Sequence, residues 1–148
     1  MTSSEREQQI GDLLDREAIR ELPVRYCHYV RTRNLAPMLD LFADDGGFEM
    51  PASVSSTSMM NGVFKGRTQL AEVFSAGFER SDPWPFVHNH IVDLKGPERA
   101  SGFVYVELRM GLEQMRATQI VVYEDDYVKE QGRWKFKSRK LNGTPIPA

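Results

Sequence analysis

Apolar residues recur every three or four positions in the first part of the chain and every second position in the last part. Helices are therefore expected first and strands after them. Between Asp15 and Arg33, the residues Ile19, Leu22, Tyr26 and Tyr29 or Val30 fall on one stripe, which predicts an amphipathic helix lying on a sheet. Ser4 and Glu7 have capping-box spacing and open this helical region early. Pro23 lacks an N–H and crowds the preceding turn, so a kink or a restart is expected there. Asn34 caps a short second helix from Leu35 to Phe42, and Leu70, Val73, Phe74 and Phe78 predict a third over Arg67 to Phe78. Short strands are expected at Phe48 to Met50, after an Asp44-Asp-Gly-Gly turn, and at Gly62 to Gly66.

From Pro83 onward the pattern is that of strands. Pro83 to Leu94 crosses the middle of a sheet, and Arg99 to Met110 turns Ala100, Gly102, Val104, Val106, Leu108 and Met110 inward and Phe103 and Tyr105 outward. Met115 to Glu130 and Arg133 to Leu141 pair as a hairpin about Gln131-Gly132, and residues 142–148 form a tail. Long strands with one apolar face need a cover, which the first helix supplies. The expected fold is α+β: a strongly curved antiparallel sheet packed against an N-terminal helix and two further helices, a cone with a pocket between. Pro51 to Met60, small and hydroxyl-rich, is expected to be a lid over the pocket mouth.

A chain of 148 residues suits one domain over 1–148. Its 19 basic and 21 acidic side chains are scattered and net to −2, which argues against nucleic-acid and membrane-surface partners. The lone Cys27 excludes an intrachain disulfide, and the polar start and lack of a long apolar run give a cytoplasmic expectation. The exposed Phe103 and Tyr105 face predicts a homodimer or homotrimer. No phosphate loop, nucleophile elbow or zinc-cysteine spacing is present, so neither cofactor nor metal is expected.

The candidate chemistry lies on and around the Pro83 to Leu94 strand. His88 and His90 have the spacing that puts two imidazoles on one strand face, but a metal grip of this kind wants further ligands, and His28 is the other histidine in the chain. Strict alternation turns Val87, Asn89 and Ile91 one way and both histidines the other way, toward a subunit interface; a bulge made by the prolines would instead turn His88 into the pocket. Tyr26 and Tyr29 either polarise a substrate oxygen or pack in the core. Arg31 and Arg139 either hold an anion or enolate or pair with carboxylates. Met50 and Met59 either fill the core or form a flexible pocket rim, which Val104 and Leu108 continue along the inward strand face.

The opening Asp15-Arg-Glu-Ala-Ile-Arg-Glu-Leu with Arg25-Tyr26, the segment Leu39-Asp-Leu-Phe-Ala-Asp-Asp-Gly, Gly66-Arg67, Ala100-Ser-Gly and Tyr127-Val-Lys-Glu-Gln-Gly-Arg-Trp-Lys-Phe with Arg139 together resemble SnoaL-like members of the NTF2-like superfamily. The likeness is to the group related to scytalone dehydratase and hexachlorocyclohexane dehydrochlorinase. It implies an NTF2-like (cystatin-like) cone and a cofactor-free lyase or isomerase, dehydratase-like, acting on a small hydrophobic cyclic or aromatic compound, or else a non-catalytic small-ligand-binding module. The group's eliminating enzymes use an Asp–His dyad; here Arg31 stands at the aspartate position and Pro85 at the histidine position. The resemblance also implies that Arg139 and Asn89 line the pocket. The resulting expectation is that His88 moves a proton while Arg31, with help from Tyr26, steadies negative charge.

Overall fold

The computed structural model describes residues 1–51, 61–110 and 117–145. Helix α1 runs from Ser3 to Thr32 and is one continuous element. Its capping box lies two residues earlier than the sequence suggested: the Thr2 hydroxyl accepts from the Glu5 N–H, and the Glu5 carboxylate accepts from the Thr2 N–H. Ile19, Leu22, Pro23, Tyr26, Cys27 and Val30 form its buried stripe. The helix does not restart at Pro23 but runs through it; the lost hydrogen bond and ring clash cost about 3 kcal/mol, and the fully buried ring packs in the core in return. The helix stops at Arg33, which takes a left-handed conformation with φ 58°.

Helix α2 is shorter than expected, Leu35–Leu39, because the chain extends again at Phe42. Strand β1 spans Phe42–Met50 and absorbs the expected Asp44-Asp-Gly-Gly turn as an irregularity between Phe42 and Gly47. Gly46 is required there: a Cβ at this position would lie 2.8 Å from the Ala43 carbonyl oxygen and 3.1 Å from that of Phe136. Strand β2 (Gly62–Lys65) leads into helix α3 (Gly66–Arg80), which buries Leu70, Val73, Phe74 and Gly77. The remaining strands are β3 (Pro83–Leu94), β4 (Arg99–Met110), β5 (Ala117–Glu130) and β6 (Arg133–Pro145). The tail expected from Asn142 is therefore strand as far as Pro145. The expected lid, with Met59, lies outside the described residues apart from Pro51.

The six strands are ordered β2-β1-β6-β5-β4-β3. All neighbours are antiparallel except β1 and β6, which are parallel. One face of this curved sheet carries the core, in which Tyr26 of α1 meets Phe42, Phe74, Tyr123 and Phe136 edge-on at centroid distances of 6.0–6.3 Å. Asp15 near the start of the buried stripe accepts from Lys129 Nζ at 3.1 Å and Trp134 Nε1 at 2.8 Å, fixing α1 to the β5–β6 hairpin. Among the described residues no helix is long and apolar enough to cross a membrane.

Candidate functional site

Two one-residue irregularities place polar side chains inside this apolar half-shell. In β3, Val87 pairs with Val106 and His90 with Val104, so His88 and Asn89 together face the single residue Tyr105. Past that bulge His90 and Val92 point inward, and Ile91 points out. In β6, Phe136 pairs with Tyr127 and Ser138 with Asp126, which makes Lys137 the extra residue. Trp134 and Phe136 are buried before it, and Arg139 and Leu141 after it.

The inward groups form a chain. Arg139 donates from Nε to Asp125 Oδ1 at 2.8 Å and from Nη2 to Oδ2 at 3.1 Å, and both side chains are 0% exposed. The Tyr127 hydroxyl donates to Asp125 Oδ2 at 2.9 Å. His90 Nε2 lies 2.9 Å from the same hydroxyl. Tyr127 has one proton and gives it to the carboxylate, so His90 must donate from Nε2, leaving Nδ1 as its basic nitrogen. The phenol lies over Gly102 of β4, where a Cβ would be 3.2 Å from both its Cε2 and its oxygen. The glycine keeps this space open.

Electrostatics fix the charge states along the chain. Burial, then the Arg139 and Arg20 cations, hold the His90 imidazole down to about 4, so it is neutral near pH 7. Burial pushes Asp125 above the ordinary carboxylate range, while the Arg139 pair and the Tyr127 hydroxyl pull it back. For Arg139 burial works against the charge, and Asp125 together with the Tyr123 and Tyr26 phenols outweighs it and raises the guanidinium. Burial raises Tyr26 and Tyr127 far above an ordinary phenol, Tyr123 to about 12 and the Cys27 thiol to about 11. These four are neutral at any physiological pH. Arg139 stacks within 3.8 Å of the Tyr123 ring centroid, 4.3 Å of Phe136 and 4.6 Å of Tyr26, and its buried Nη1 has no hydrogen-bond partner.

The other residues singled out from the sequence do not join this chain. His88 points outward, where its Nε2 is 3.1 Å from Glu107 Oε2 and its side chain is 54% exposed. A bulge does occur in this strand, but after Val87 rather than at the prolines, whose pairing is regular, and it carries His90 inward rather than His88. The two imidazoles therefore do not share a face and cannot grip one ion. Asn89 is exposed beside His88 rather than lining the interior. Arg31 is exposed and its Cζ lies 3.4 Å above the Trp84 ring. At about 3.3 Å per strand residue, Trp84 and His90 are roughly 20 Å apart, too far for Arg31 and His90 to hold one small molecule. Pro85, at the resemblance's histidine position, pairs with Leu108 in the sheet. Tyr26 and Val104 are core residues, 4% and 0% exposed. Tyr29 and Met50 are partly buried against the core, and Leu108 is partly buried on β4. Among the described residues no group of three or more metal-ligating side chains occurs.

Strict alternation through β6 turns Arg139 away from its partner Asp125, and a bulge placed at the prolines rather than after Val87 hides His90 as the partner of Tyr127. A signal existed in β6: the solvent-facing Lys135, Lys137 and Lys140 are spaced by two and then by three.

Similar architectures are known. A hexachlorocyclohexane dehydrochlorinase (type 2) superposes with TM-score 0.76 at 17% identity, over 95% of this chain and 94% of that one. A candidate scytalone dehydratase from Novosphingobium aromaticivorans gives 0.75 at 21%, over 92% and 88%. An NTF2-like protein with a cystatin-like fold from the same organism gives 0.80 at 16%, over 95% and 88%. At these identities the likeness is one of fold. No curated protein matches the chain in sequence. The profile of the SnoaL-like domain matches residues 11–140, nearly the whole chain, which therefore belongs to the SnoaL-like domain family.

Proposed function

We propose that the protein is a cofactor-free lyase or isomerase for a small, hydrophobic, cyclic or aromatic compound, and that His90 is its proton-moving group. The observation that carries this is the His90–Tyr127–Asp125 chain, which ties up Nε2–H and leaves a neutral Nδ1 as base. In such an elimination Nδ1 takes the proton from the carbon next to a carbonyl, the new double bond expels the β-substituent, and the imidazolium returns the proton to the leaving oxygen. Arg139 favours the neutral imidazole through its charge, and Tyr127 fixes the ring. Arg31 and Tyr26, expected to steady negative charge, are replaced in this reading by the Arg139 centre.

A non-catalytic small-ligand-binding role is the second reading. It is favoured by Arg31 and Pro85 at the dyad positions, one stacked on Trp84 and the other held in the sheet.

Turnover of a panel of cyclic β-hydroxy ketones, followed by ultraviolet absorbance of the conjugated product, separates the readings. His90→Gln is expected to lose about two to four orders of magnitude in kcat, and His88→Gln to stay near wild type. The wild-type profile of kcat/KM is expected to fall on acidification toward about 4. Equal loss in the two variants would return the role to His88; tight binding of the panel without turnover in the wild type would favour the binding module.

A further inference from the structure

Helix α1 and strand β3 lie side by side and run in opposite directions. β3 is the last strand of the sheet, so one of its edges has no strand partner, and α1 is fixed to it at two points. At one, Arg16 donates from Nη1 to the main-chain carbonyl of Val92; at the other, the Arg31 guanidinium lies on the Trp84 ring. The helix rises about 22 Å from Arg16 to Arg31, and the strand extends about 26 Å from Trp84 to Val92, so the two elements stay in step between these points. Arg20, one turn beyond Arg16, therefore comes level with His90, which lies two residues before Val92. With about 3.6 residues per turn, Arg20 is roughly 40° and Arg31 roughly 60° around the helix axis from Arg16. All three side chains leave α1 on the side of β3.

Arg16, Arg25 and Arg31 on this helix each have a partner, in Val92, Glu21 and Trp84. Among the described residues, no hydrogen bond or ion pair engages Arg20, which is exposed beside the half-buried His90. We propose that the compound acted on at His90 carries a carboxylate and that Arg20 holds it; this deepens, and rests on, the lyase or isomerase reading above. Val24, exposed one turn further along the same side, gives the ring of such a compound an apolar neighbour.

The carboxylate supplies what the empty site lacks. A general base works best when it titrates near the working pH, and His90 is held to about 4, first by burial and then by Arg139 and Arg20. Tyr127, Asp125 and Arg139 face the ring from the sheet, and Arg20 faces it from the helix. Asp125 already answers Arg139. An anion on Arg20 cancels the other cation and places a negative charge near the ring, which raises the imidazole. The base is strengthened by the compound it serves.

The first arm of the test needs no turnover. His90 ring resonances are followed across pH with and without benzenesulfonate, which stays charged where a carboxylate would itself titrate. In the wild type the sulfonate is expected to raise the His90 titration by about one unit, and neutral benzenesulfonamide to leave it in place. Arg20→Lys is expected to keep the response. Arg20→Gln is expected to lose it and to titrate higher than wild type without any ligand; its fold is checked by a circular dichroism melt. In the second arm, cyclic β-hydroxy ketones bearing a ring carboxylate are compared with their methyl esters. The wild type is expected to favour the acids by about tenfold or more in kcat/KM, and R20Q to lose that preference. No sulfonate response in the wild type, or the same response in R20Q, would overturn the proposal. Equal turnover of acid and ester by the wild type would overturn it while leaving the lyase reading intact, whereas an Arg20-dependent response without turnover of either would remove the lyase reading and keep the anion site.

Discussion

Arg139 keeps its charge inside a cage of three aromatic rings, and Asp125 is the carboxylate that answers it. Removing one member of such a pair leaves the other buried and uncompensated, which costs about 3–5 kcal/mol, whereas replacing both with apolar groups is often neutral. Arg139→Met is therefore expected to lower the urea unfolding midpoint severely, and R139M/D125L to recover much of the loss. If the double variant were no more stable than the single one, the pair would not be the reason for the penalty. Arg139 was legible as a pocket residue from the family resemblance alone, since strict alternation from Trp134 and Phe136 turns it outward with Lys135 and Lys137. What it pairs with was not, since Asp125 sits in the run Glu124-Asp-Asp126, which reads most simply as the solvated face of paired strands. One of those three carboxylates is fully buried, and only the pairing across β5 and β6 says which.

Strand β3 shows how one extra residue decides which side chain enters the core. With Asn89 deleted, Val87, His88 and His90 would face Val106, Tyr105 and Val104 in an unbroken ladder, and His90 would stay inside. With Ile91 deleted instead, the ladder is equally regular, but Asn89 occupies the inward place opposite Val104 and His90 turns out toward the place of Phe103. Both deletion proteins are expected to fold. The low His90 titration, near 4, should persist in the first and return to the ordinary imidazole range in the second, as read from histidine ring resonances across pH. A low titration retained in both would mean that the ladder does not control the ring. The elements themselves were readable: β3 and β4 have the bounds that periodicity predicts, because Pro83 and the Lys95-Gly-Pro-Glu98 turn punctuate them. Bulges were not, since they leave composition unchanged and alter only phase. The continuity of α1 through Pro23 was likewise hidden, because burial of the ring is a tertiary gain that a local rule does not contain.

At the scale of the molecule, the inner chain links stability to pH. His90 ordinarily titrates near 6.5 and is held to about 4 in the folded protein, so the unfolded chain takes up the proton first on acidification. Its contribution to stability is complete above about 6.5 and is lost as pH falls toward about 4. Asp125 is shifted upward and acts in the opposite sense: its burial penalty is relieved as pH falls through the carboxylate range. Urea midpoints are therefore expected to decline between pH 6.5 and 4.5, and the decline to flatten in His90→Gln. An unchanged slope in that variant would place the acid sensitivity elsewhere. The parallel seam between β1 and β6 has another consequence, one of timing. Phe48 pairs with Arg139, so the earliest strand, β1, waits for the last, β6, before its second edge is paired. A ribosome releases the chain from the N-terminus, and the apolar stripe of α1 emerges long before β5 and β6 can cover it. Contacts so distant in sequence make for slow closure, and until β6 is made the nascent protein exposes surface that a chaperone would recognise.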